Sequence, residues 1–109
     1  MTKVIISKSQ DGTYKQLTCS GHAEFANSGS DIICAAVSVL VTNTINSLEE
    51  LAGESFETYA DEENGFINCD FNNPLQEKSI FLLDSMVFGL KQIQEEYGSK
   101  YLQVKFKEV

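Results

Sequence analysis

Two stretches of the chain repeat their apolar residues every three or four positions, and the segments around them alternate every two. That switch of period restricts the fold to helices laid on a sheet. In the first stretch Ile33, Val37, Leu40, Val41, Thr44, Leu48 and Leu51 trace one stripe, and Gly53 stops it. In the second, Leu75, Ile80, Leu83, Val87, Leu90 and Ile93 follow Pro74, a residue suited to the first turn of a helix, and the stripe ends near Gly98. Ahead of the first helix, Val4 and Ile6 mark a strand, Asp11-Gly12 a hairpin turn, and residues 14–22 a second strand. Tyr14, Gln16, Thr18, Ser20 and His22 share one face of that strand. Leu17 and Cys19 share the other, which makes Cys19 a small core residue. Between the helices, residues 55–61 and 65–71 read as strands joined by the acidic turn Asp61-Glu62-Glu63-Asn64-Gly65. Residues 101–106 read as an edge strand, with Lys105 and Lys107 facing water and discouraging further pairing. The order ββαββαβ, dominated by hairpins, predicts a compact two-layer α+β domain over residues 1–109, with a mainly antiparallel or mixed sheet covered by two helices.

At 109 residues the chain supports one core and no second lobe, so an active site must lie on an edge of that core or at a subunit interface. Its 16 acidic against 8 basic residues give a net charge of −8. That balance speaks against a nucleic-acid partner, which needs clustered Lys and Arg, and against an anionic membrane surface; it suits a cationic peptide or protein. Residues 1–10 lack the apolar core of a signal peptide, and no stretch approaches the roughly 18 apolar residues of a membrane span, so the expected location is the cytoplasm. Three cysteines, an odd number, then point away from a disulfide scaffold.

Chemistry concentrates between residues 21 and 38, where the single histidine, His22, ends a strand and Cys34 opens a helix. With Asp31 as N-cap, Cys34 is the third helical residue, among unpaired N–H groups that favour a thiolate. The dipole supplies only about 0.3–1 kcal/mol, less than one pKa unit at about 1.4 kcal/mol each, so a neighbouring imidazole has to provide the larger share and manage the proton. His22 is the candidate base, and Gly21 and Gly29 give the intervening loop the freedom to fold back, with Gly21 as a hinge. Asp31, Cys34 and Ser38 share a helix face apart from the apolar stripe. Asp31 caps the helix or orients His22; Ser38 steadies the imidazole or the substrate, or back-bonds to its own helix. The N–H groups around Cys34 are candidate oxyanion donors. Taken alone, these residues leave other readings open. One is a core cysteine plus a strand-end histidine. Another is a zinc site of Cys19, His22, Cys34 and Cys69, although Cys19 and His22 fall on opposite strand faces. A third is a non-enzymatic assembly or adaptor module, which an acidic surface and a small α+β fold allow.

The string Gly21-His22-Ala23, then Gly29-Ser30-Asp31-Ile32-Ile33-Cys34-Ala35-Ala36-Val37-Ser38, resembles the signature of the Prp (YsxB-like) ribosomal-processing cysteine proteases, and length, element order and the Asn64-Gly65 hairpin fit as well. The resemblance implies a cysteine endopeptidase with a dyad of Cys34 and His22, supported by Asp31 and Ser38, and no cofactor or metal. It implies a homodimer that removes the N-terminal extension of the large-subunit ribosomal protein numbered twenty-seven. The cleaved segment carries aromatic residues before the cut and basic residues around it. Phe25 is a candidate groove residue.

Overall fold

The computed structural model describes residues 1–21 and 28–109, the side chains of residues 28–31 excepted. The elements run β1 (Thr2–Lys8), β2 (Tyr14–Ser20), α1 (Ser28–Glu50), β3 (Glu57–Asp61), β4 (Phe66–Asp70), α2 (Glu77–Tyr97) and β5 (Leu102–Glu108), in the expected ββαββαβ order. The five strands form one mixed sheet in the order β3-β4-β2-β1-β5, antiparallel throughout except for β5, which lies parallel to β1. The fold is α+β in two layers.

Strand alternation decides which face the helices cover. Val4, Ile6, Leu17, Cys19 and Cys69 are buried in a core shared with Val37, Val41 and Leu48 of α1 and Leu83, Met86 and Leu90 of α2. The opposite face is mixed, with Tyr59 packed against Phe66 and polar pairs bonded across the strands: Gln16 Nε2 donates to Asp70 Oδ1 at 2.8 Å and Thr18 Oγ1 to Asn68 Oδ1 at 2.9 Å.

Several sequence expectations shift, each for a local reason. Tyr14 does not join Gln16 on the face away from the helices. The β1–β2 register slips between Ser7, opposite Gln16, and Lys8, opposite Tyr14, so the extra residue Lys15 forms a bulge that reverses parity. Tyr14 turns into the helical layer, buried, and its hydroxyl donates to Asp84 Oδ1 of α2 at 2.5 Å. Leu51 is exposed rather than part of the α1 stripe, because the helix ends before it. Ile45 takes a place on the buried ridge of Ile33, Val37 and Val41, each one turn apart. The end of α1 is closed by Gly53 at φ +68°, with the Glu54 amide bonded back to the Leu48 carbonyl at 2.9 Å. Pro74 precedes α2 instead of opening it. Gln76 is the N-cap residue and is tied outward, its side chain donating to the Ala52 carbonyl at 2.8 Å.

Helix α1 also corrects the expectation about membrane spans. Its residues Ile32–Glu50, with a mean hydropathy of 1.5, are long and apolar enough to cross a bilayer by length and composition alone. A third of that stretch is buried, as the ridge that packs on the sheet, while Ile32 and Val39 are exposed.

Candidate active site

Helix α1 begins at Ser28, three residues before the expected cap. Ser28, Ser30 and Asp31 are all cap-type residues, and the helix extends through Gly29, whose cost is only about 1 kcal/mol relative to alanine, against one more backbone bond per residue added. Two expectations fall with this. Asp31 lies inside the helix and is not its N-cap; its side chain is outside the description. Cys34 lies in the second turn, where its N–H is committed to the carbonyl four residues earlier, so it is not a free oxyanion donor.

The row Cys34, Ser38, Thr42 steps one turn at a time and lies beside the buried ridge of Ile33, Val37 and Val41. It forms one wall of a cleft of about 250 Å³. The floor comes from the sheet register. Val4, Cys19, Ile67 and Ala60 pair in turn across β1, β2, β4 and β3, so their side chains share the helix-facing side. Cys19 and Ala60 are small, and the sheet leaves space below α1 where a Leu or Phe would fill it. The rim comes from Thr2 and from Glu62 and Gly65 of the β3–β4 turn. That turn is fixed by Asp61, whose carboxylate accepts from the Asn64 amide at 3.2 Å and the Asn64 side chain at 2.6 Å; these bonds hold its pKa below the ordinary value.

Gly21 has a steric reason to be glycine. Its amide donates to the Gly65 carbonyl at 3.0 Å, and a Cβ there would lie 2.7 Å from the Thr2 Cα. The residue that leads into His22 is thus wedged between β1 and the rim of the cleft. His22 and Phe25 lie outside the described residues, so the distance from imidazole to thiol is not part of this geometry.

The three cysteines differ sharply. Cys69 is wholly buried, with its sulfur 4.0 Å from Thr58 Oγ1, and burial pushes its thiol up to about 11. Cys19 is 9% exposed and likewise pushed up to about 11, by burial first and then by the charge of Cys34. Cys34 is half-buried and opens onto the cleft beside Ser38. Of the three, Cys34 is the thiol that a substrate reaches.

A family model described as "Cysteine protease Prp" matches residues 1–103. The chain belongs to the Prp cysteine proteases. It is 31% identical over 103 residues to the ribosomal-processing cysteine protease Prp of Bacillus subtilis, covering 89% of this chain and 90% of that one. It is 26% identical over 98 residues to the Prp of Staphylococcus aureus, covering 90% and 92%. Among solved structures, the S. aureus Prp in complex with a substrate peptide superposes with a TM-score of 0.90 at 23% identity, over 98% of this chain and 100% of that chain. SMU.848 from Streptococcus mutans gives 0.88 at 26% identity, over 100% and 96%. Membership makes this chain a Prp-like ribosomal-processing cysteine protease, a hydrolase of peptide bonds.

Thr2, Thr42, Ala60, Glu62 and Ile67 line the cleft and escape the sequence reading. Thr42 is recoverable from the one-turn spacing after Cys34 and Ser38. The others need the strand order, which no local pattern carries.

Proposed function

We propose that the chain cleaves the N-terminal extension from the large-subunit ribosomal protein numbered twenty-seven, with Cys34 as nucleophile and His22 as its base. The observation that carries this is the contrast among the thiols: Cys34 alone is half-buried and lines an apolar-floored cleft, while Cys19 and Cys69 are buried. His22 takes the thiol proton, the thiolate attacks the scissile carbonyl, and an acyl-enzyme forms as His22 protonates the leaving amine; water then completes hydrolysis. The oxyanion draws on donors other than the Cys34 amide. Asp31 and Ser38 act in support, with Ser38 beside the sulfur on the same wall. The cleft floor suits an aromatic side chain before the cut. Glu62, the one charged residue among the described lining residues, suits a basic residue around it. The enzyme acts as a single domain in the cytoplasm, as a homodimer.

Mass spectrometry of the extended ribosomal protein after incubation tests this and locates the cut. The native chain releases the extension, and Cys34→Ser does not; equal cutting by both, or by neither, ends the proposal. His22→Ala slows cleavage by about 10²–10⁴, the range of general-base catalysis, and also slows thiol alkylation at neutral pH.

A further inference from the structure

A second cysteine shares the cleft with the candidate nucleophile, and peptide cleavage has no use for it. Cys19 projects from the penultimate position of β2 into the floor, held from both sides by its pairing with Val4 and Ile67, while Cys34 stands in the wall. The two thiols are close enough for the charge of one to act on the other. Cys69, the third, does not line this space and is enclosed against Thr58.

We propose that Cys19 is the resolving cysteine of a redox switch: a peroxide oxidises Cys34, and Cys19 closes a disulfide with it across the cleft floor, protecting the sulfur and blocking the site until a thiol reductant reopens it. Small oxidants reach half-buried Cys34 before enclosed Cys19. The Cys34 thiolate attacks one peroxide oxygen, the O–O bond breaks, and hydroxide leaves; the product is a sulfenic acid. The Cys19 sulfur then attacks the Cys34 sulfur, the S–S bond forms and the S–O bond breaks. The departing hydroxide takes the Cys19 proton as water. Each sulfur gives up one electron, and the peroxide is reduced to two waters. Burial keeps the Cys19 thiol protonated in the resting enzyme, which spares it direct oxidation; it attacks Cys34 as the leaving hydroxide removes its proton.

That closure switches off proteolysis rests on Cys34 being the nucleophile; the disulfide itself does not. The native chain, Cys19→Ala and Cys69→Ala are treated with a few equivalents of hydrogen peroxide, alkylated without reductant, digested and weighed. The native chain and Cys69→Ala yield a linked Cys19–Cys34 peptide pair, lighter by a pair of hydrogens than the reduced peptides. In Cys19→Ala, Cys34 advances to the sulfinic acid. Dithiothreitol restores cleavage of the extended ribosomal protein in the first two and not in the third. A Cys34–Cys69 link, or sulfinic acid on Cys34 of the native chain as abundant as in Cys19→Ala, overturns the proposal. Should Cys19→Ala fail to fold, the linkage found in the native chain decides alone. Should the native chain not cleave before oxidation, the protease assignment fails, while the linked peptide still decides the switch.

Discussion

Two neighbouring rows of the same sheet face the same helical layer and end up as opposites. In one, Ile6, Leu17 and Cys69 pair across β1, β2 and β4, and all three are sealed in the core. In the next, two residues along, Val4 is sealed as well, but from Cys19 through Ile67 to Ala60 a cleft opens over the row. Backbone geometry is the same in both. The difference is side-chain volume on the sheet and the choice of cysteine, serine and threonine on the facing row of α1. An active site in a domain this small is made by declining to fill part of the interior, at the end of the sheet where β2 stops.

That contrast can be broken from either side. The largest effect falls on chemistry: Cys34→Ala abolishes cleavage to background while leaving the thermal midpoint almost unchanged, because its half-buried side chain faces the unfilled row from α1. Calorimetry beside the cleavage assay checks this, and a large drop in midpoint would place Cys34 in the core after all. On the filled row, Leu17→Ala costs about 2–5 kcal/mol, the range for a buried leucine, read as a lower urea midpoint. Gly21→Ala joins both effects: its methyl meets the Thr2 backbone, so stability falls by about 1–3 kcal/mol, and cleavage falls as the rim shifts. Ala60→Val narrows the cleft at an exposed position, so KM rises about tenfold, equivalent to about 1.4 kcal/mol, with little change in urea midpoint.

The smallest effect is that of Tyr14→Phe, about 1 kcal/mol for its bond to Asp84. It has a pH signature. Burial, then the Asp84 hydrogen bond, raises the Tyr14 pKa above its ordinary 10. A raised group gives stability that is complete below its unfolded value and lost as pH climbs past it. Native stability therefore declines above pH 10, and the decline is shallower in Tyr14→Phe. Cys19 and Cys69, raised from 9 to about 11, add to the loss between those values.

What was legible in the sequence follows the range over which its signals act. Element types and order, the Asn64-Gly65 turn and the buried place of Cys19 are local patterns of period two or four, and they hold. Tyr14 fails because a one-residue bulge leaves no mark in an alternating strand. The start of α1 fails because Ser28, Ser30 and Asp31 give the same cap signal at neighbouring positions. The cleft is legible only along α1. Its floor joins residues from four strands whose adjacency is set by long-range pairing, and Ala60 carries no sign of facing Cys34's side of the sheet.

The parallel pairing of β5 with β1 reaches the rim of the cleft. The Thr2 amide is held by the Tyr101 carbonyl, and the last strand zips onto the first in parallel register from Leu102 onward. Thr2 in turn is the residue against which Gly21 is wedged. β1 therefore gains its outer neighbour only from β5, about a hundred residues away along the chain, and the Thr2 edge of the cleft is braced from outside by that distant strand.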